Sequence, residues 1–410
     1  MATLHRNRNF SALAPRYVER FRCIGGQCED TCCAGWPVHI DKKTYKAYRS
    51  QTHAVMKPVV SIMQRVEQPK NPEMYAVLPM VGTQGHCPAL QDGMCTIQAN
   101  VGASYLSGTC DSYPRMNRSV NRQVEQSLTL SCPEAARQAL LAEDAFDFIE
   151  TPVSIRESTL YAVAGFRAMP AAVTNELRIF SMNLMRTREL PLWQRLALLG
   201  TFCDALDRDC ANGEADVAQA LIDEFTRNIE NGSLLDALDP VQPGHEAQAM
   251  VFATLWASKG FASRSPHQQA LMARIATGLG GDTRGMVSGV ELVAAYRRGL
   301  DRLDEAMREV PWLLDHFLLN EMFALQFPVG AASAYDSFLR LSARFGLLRL
   351  LLAAQCNAGQ EIPSVRTLAA TVALQARRFQ HDAKFAEEVN LSLRDSGWAN
   401  LERLYTLLRT

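Results

Sequence analysis

Eight of the eleven cysteines in this 410-residue chain fall between Cys23 and Cys132. The stretch FRCIGGQCEDTCCAGW holds Cys23, Cys28, Cys32 and Cys33, the stretch CPALQDGMCTIQANVGASYLSGTC holds Cys87, Cys95 and Cys110, and Cys132 follows alone. Only Cys203, Cys210 and Cys356 lie beyond. Thiolates are soft ligands, so an all-sulfur set suits zinc or an iron–sulfur cluster and disfavours magnesium or calcium. The spacings, C-x4-C-x3-C-C and then C-x7-C-x14-C, fit no familiar zinc-ribbon or ferredoxin pattern. Eight thiolates could serve one four-cysteine site with spares, or two such sites. Adjacent side chains diverge, so Cys32 and Cys33 are expected to address different metals, or to leave one sulfur idle.

Metal is favoured over disulfides by compartment. The opening MATLHRNRNFSALAPRYVERF carries arginines but no apolar leader core, and no stretch reaches the roughly 18 uninterrupted apolar residues of a membrane span. A soluble, cytoplasmic protein with no membrane partner is expected, and that compartment keeps thiols reduced. At 48% hydrophobic the chain can build its cores without crosslinks.

The net charge of -1 hides an asymmetry: residues 1–133 hold 15 Lys/Arg against 9 Asp/Glu, or +6, and the rest is acidic. Cations near the cysteines would favour thiolate over thiol. Nucleic acid is not an expected partner, because +6 is modest and the arginines are not interleaved with stacking aromatics.

These residues need elements to position them. Turn chemistry in CIGGQ, AGWP, KNPE, MVGTQGHCP and QDGMC breaks the first third into irregular loops with short helices, and short strands are expected at VHID and QSLTL. A helix should start at SCPEAARQALL, where Ser131 and Glu134 have capping-box spacing and Pro133 suits the first turn. That start would place Cys132 at a helix amino end, where the dipole favours a negatively charged sulfur. From Glu134 onward the pattern is helical: Val290, Val293, Tyr296, Leu300, Leu303, Met307 and Val310 recur every three or four residues. GLLRLLLAAQC reads as a central buried helix with Cys356 as core. The expected fold class is mainly α: an irregular cysteine-rich metal-binding region over 1–133, with short helices and strands, packed on a larger all-α domain over 134–410 that serves substrate recognition and structure.

YVERFRCIGGQCEDTCCAGWPVHIDKKTY, HCPALQDGMCTIQANVGASYLSGTCDSYPRM and SLTLSCPEAARQALL, in that order, resemble the bacterial flagellin lysine-N-methylase family and its cysteine-rich, zinc- or iron-chelating signature. LPLWQRLALLGTFCDAL and WLLDHFLLNEMFALQFP are similar to it more loosely. The resemblance implies methyl transfer from S-adenosylmethionine to surface lysines of flagellin by an enzyme with an iron–sulfur cluster, [4Fe-4S] in the first instance and zinc as the alternative. Carried over by motif, the metal-ligand candidates are Cys23, Cys28, Cys32, Cys33, Cys87, Cys95, Cys110 and Cys132. A glycine-rich turn after a strand, the mark of a Rossmann-type donor site, is missing: ATGLGGDTRG follows a helical stretch and reads as a loop. A C-x3-C-x2-C radical signature is missing too, because Cys33 follows Cys32 directly. The methyl-donor site and the catalytic base therefore stay unassigned. His39, His86, His316 and His381 are candidates for a base or an extra ligand that position alone does not single out, and Trp36, Tyr45 and Tyr113 adjoin the cysteine blocks as shielding or packing aromatics. The competing readings are a non-enzymatic zinc- or iron-binding adaptor and an electron-transfer protein.

Overall fold

The computed structural model describes residues 4–69, 71–83, 85–259, 265–281 and 287–409. The chain divides into two compact units, one comprising Met1–Gln138, Asp147–Val163 and Ala262–Ala270, the other Ala139–Phe146, Ala164–Phe261 and Leu271–Thr410.

The first unit contains all ten named strands: β1 (Arg8–Pro15), β2 (Val38–Ile40), β3 (Gln64–Arg65), β4 (Ala76–Leu78), β5 (Leu90–Gln91), β6 (Met94–Cys95), β7 (Arg115–Val120), β8 (Gln123–Leu128), β9 (Phe148–Ile155) and β10 (Leu160–Ala162). Five form one mixed sheet in the order β10-β7-β8-β1-β9. β1 runs parallel to β8 and antiparallel to β9, with Ala12 opposite both Val124 and Thr151. The β7–β8 hairpin turns on Asn121 and Arg122, both at positive φ, between the paired Val120 and Gln123. A two-residue hairpin loop of that hand matches the twist of its strands. Short strands were expected at VHID and QSLTL; β2 covers all but the last residue of the first, and β8 covers Gln126–Leu128 of the second and begins earlier, at Gln123. The eight-residue β1 and β9 are an addition that turn-rich flanks and modest alternation concealed.

A second cluster of the same unit gathers Val38, Ile40, Tyr48, Met56, Val59, Leu78, Cys87, Ile97 and Leu106. Asp41 caps the helix Lys42–Ser50, its Oδ1 accepting from the N–H groups of Lys43 and Thr44 at 2.9 Å each. The helix expected after Cys132 runs from Pro133 to Leu140.

Among its described residues the second unit is helical throughout. Its longest helix, Ala334–Asn357, is buried along most of its length and contains the apolar run and Cys356. Gly299 on the helix Gly289–Ala306 lets the two backbones approach, since a Cβ there would sit 2.4 Å from the Ala353 carbonyl oxygen. Arg349, 1% exposed, reaches the last helix, Leu401–Leu408, and donates to the carbonyls of Leu407 (2.6 Å) and Leu408 (2.8 Å). A buried cation is thus spent on helix-end carbonyls that have no intrahelical partner. ATGLGGDTRG begins at the end of the helix Pro266–Gly278, as the loop reading expects, and its positions 282–285 lie outside the described residues.

Candidate metal centre

Three separate segments bring cysteines to one place in the first unit. A small cavity of about 80 Å³ is lined by Cys32, Cys33, Cys87, Cys95 and Cys110, with Trp36, Ile40, Tyr48, Ile97 and Tyr113 among its other walls. The volume is several times what one water molecule requires. Cys33 and Cys87 are pinned by backbone, the Cys87 N–H donating to the Cys33 carbonyl at 2.7 Å. Cys95 ends the two-stranded β5–β6 ribbon, in which it pairs with Leu90. Cys110 lies in the one-turn helix Gly108–Ser112, capped by the Ser107 hydroxyl that accepts the Cys110 N–H. The rings of Trp36 and Tyr113 stand 5.5 Å apart, so two of the aromatics adjoining the cysteine blocks close the cavity. Tyr45 instead packs edge-on against Tyr75, 5.2 Å away.

Cys23, Cys28 and Cys132 lie outside this cavity. They are not remote from it: the charges of Cys28 and Cys32 both act on Cys132, and those of Cys23 and Cys132 act on Arg115. Cys32 therefore stands between the two groups of sulfurs. Cys203, Cys210 and Cys356 are buried in the helical unit.

The electrostatics run against the expectation that a basic region stabilises thiolate. Cys33 is held far above the ordinary thiol range by its hydrogen bond with Cys32, then by burial and by the charges of Cys32, Cys95 and Cys110. Cys110 keeps accessible surface toward the cavity, yet the surrounding protein desolvates it and pushes it up to about 12. Cys87 and Cys28 are raised mainly by burial. Cys132 does sit at a helix start, where the N–H groups of Ala135 and Glu134 favour its charged form, but burial outweighs them and lifts it to about 12. Desolvation plus mutual repulsion wins over distant cations.

This donor set matches a thiophilic centre: none of the described cysteines is in a disulfide, and five share one largely apolar cavity. Among the described residues no three Cys, His, Asp or Glu side chains stand at metal-ligand spacing. Of the candidate histidines, His39 lies in β2 and His86 bridges Ala34 and Val81 beside Cys87, whereas His316 and His381 belong to the helical unit. None of the four lines the cysteine cavity.

Fold and site together define a mainly helical protein whose strand-bearing unit carries a thiol-lined cavity. A family model described as the FliB lysine N-methylase C-terminal domain matches residues 178–407, more than half of the chain. The chain belongs to that family. It is 33% identical over 147 residues to the flagellar biosynthetic protein FliU of Salmonella muenchen, covering 36% of this chain and 86% of that relative. It is similar also to lysine-N-methylases of Salmonella typhimurium strain LT2 (33% over 140 residues) and Salmonella choleraesuis strain SC-B67 (32% over 140 residues). Each of these alignments covers 34% of this chain and 35% of the relative, so the chain spans about a third of the length of the lysine-N-methylases it matches. No solved structure matches. Among the described residues no helix is long and apolar enough to cross a membrane.

Proposed function

We propose that the protein is a cytoplasmic, S-adenosylmethionine-dependent protein-lysine N-methyltransferase that modifies flagellin and carries an iron–sulfur cluster, [4Fe-4S] in the first instance, on the cysteines of its first unit. The family match over residues 178–407 carries this reading. The name of the flagellar relative supports a flagellar substrate, and five cavity thiols from three segments support a cluster over an isolated redox thiol.

Cys33, Cys87, Cys95 and Cys110 are the residues that would hold the cluster, with Cys32 at the edge toward Cys28 and Cys132. Bound there, it would supply sulfur-ligated iron whose binding free energy becomes folding free energy of the unit. Trp36 and Tyr113 would keep water from the sulfurs.

Methyl transfer sets its own demands on the acceptor. A lysine ε-amine is protonated below its reference pKa of about 10.4 and must lose a proton before it attacks. The neutral nitrogen then forms its bond to the methyl carbon as the carbon–sulfur bond breaks, the bonding pair leaves with sulfur, and the nitrogen releases its second proton to solvent or a base. Incubation of the anaerobically purified protein with flagellin and radiolabelled methyl donor tests the reading. Label in methyl-lysine is expected, and no label from cofactor-replete protein overturns it.

A further inference from the structure

A second cavity in the first unit, about 490 Å³, lies along the five-stranded sheet among β7, β8 and β9. Its size falls within the range of roughly 300–1,000 Å³ usual for small-molecule sites. Three guanidinium groups, Arg22, Arg115 and Arg156, line it together with the carboxylates Glu19 and Asp111.

One carboxylate, Asp111, faces two of the three arginines. Arg156 is 4% exposed; it donates to the Leu106 carbonyl at 3.0 Å and approaches Asp111 Oδ1 at 3.5 Å, while its Nε has no hydrogen-bond partner. A buried N–H left unpaired is a donor that an incoming acceptor would satisfy. Arg22 spends its Nη1 on two neutral acceptors, the carbonyls of Glu19 and Phe21, at 2.8 Å each. Arg115 lies near the Phe21 ring, 5.3 Å from its centroid, and the charge of Asp111 acts on it. The floor is preorganised: Gln126 Nε2 donates to Asn117 Oδ1 at 2.7 Å, and Asn117 Nδ2 donates to Thr159 Oγ1 at 3.3 Å, all three residues being buried.

Planar guanidinium forks recognise carboxylates, and the two acidic side chains supply partners for one ammonium beside them. Guanidinium groups beside carboxylates offer complementary partners to the two charges of a zwitterionic amino-acid group. The cavity also adjoins the cysteines in the chain, because Arg22 precedes Cys23 and Asp111 follows Cys110. We infer that this cavity binds the α-amino-acid end of the methyl donor, its carboxylate on Arg115 and Arg156 and its ammonium toward Glu19 and Asp111. The inference rests on the methyltransferase reading above and adds to it the donor site.

Calorimetric titration with S-adenosylhomocysteine, which keeps that amino-acid end, tests it on the full, cofactor-replete chain. Arg115→Gln removes a cation, and Ser154→Glu places a carboxylate at an exposed residue of the lining without touching the core. Each should weaken binding by about tenfold or more, the scale of one lost charge-assisted contact, with the thermal midpoint of Ser154→Glu unchanged. Wild-type affinity in both variants overturns the site and leaves the methyltransferase reading standing. A wild-type chain that neither binds the probe nor transfers label overturns both.

Discussion

The backbone N–H of Cys87 donates to the carbonyl of Cys33 at 2.7 Å, joining the first cysteine block to the second through main chain. That link is main chain to main chain, so it does not depend on the protonation of the sulfurs, and it fixes the backbone of two of the five cavity cysteines. The thiols are then kept neutral by burial and by one another, and the metal proposed above would reverse that.

Serine substitutions should therefore separate the cavity cysteines from those of the helical unit. Cys33→Ser, Cys87→Ser, Cys95→Ser and Cys110→Ser each place a harder, less acidic hydroxyl on the cavity and should strip most of the bound metal. Cys203→Ser and Cys356→Ser bury a hydroxyl in the helical unit and should cost about 1–3 kcal/mol of stability with metal content unchanged. Metal analysis alongside chemical denaturation reads both effects.

The helical unit should lose stability in mild acid through His316. Its Nδ1–H donates to the Ala139 carbonyl at 3.0 Å, and Arg188 approaches its Nε2 at 3.3 Å. Burial first, and the Arg188 charge second, lower its pKa from 6.5 to about 4. The unfolded chain then binds the proton more readily than the folded one, so the contribution is complete above pH 6.5, falls as pH drops, and is gone by about pH 4. The full span is on the order of 3 kcal/mol. Denaturation midpoints across that window should fall less steeply for His316→Gln than for wild type.

How much of this was legible in the sequence depends on the kind of signal. The apolar run GLLRLLLAAQC gave a buried helix and Val290 to Val310 an amphipathic one, because periodicity reports burial directly. The cysteine blocks were visible as composition, but the grouping of Cys33 with Cys95 and Cys110, and of Cys132 with Cys28, follows from loop paths that spacing does not encode. The polar cavity was hidden for the same reason. Arg22, Arg115 and Arg156 are far apart in sequence, one of them in the acidic remainder, and only the folded first unit brings them to one cavity. Burial likewise reversed the thiolate expectation at Cys132, since a helix dipole can be read from SCPEAARQALL and desolvation cannot.

Gly346 should tolerate no side chain. On the helix Ala334–Asn357 a Cβ at this position would meet Phe252 Cζ at 1.9 Å, with the other near ring atoms also inside contact distance. Gly346→Ala gains helix propensity and still destabilises the unit, by about 1–3 kcal/mol for overpacking. A matching Phe252→Leu change should recover part of the loss in thermal melts.

The buried pair Arg195–Asp315 should behave asymmetrically. Arg195 is 3% and Asp315 6% exposed, and Arg195 also donates to the Met185 carbonyl at 2.5 Å. Asp315→Leu leaves a buried guanidinium without its anion and should cost about 3–5 kcal/mol, whereas replacing both residues by apolar ones of similar volume should cost much less. Urea unfolding of the two variants distinguishes the cost of breaking the pair from the worth of having it.

Iron and acid-labile sulfide analysis of the anaerobically purified protein, read together with its visible absorption, tests the central claim most directly. Iron and sulfide in comparable amounts, with a chromophore bleached by Cys87→Ser and retained in Cys356→Ser, is the predicted result. Protein that carries zinc alone, or cavity cysteines joined in disulfides with no metal bound, would contradict it.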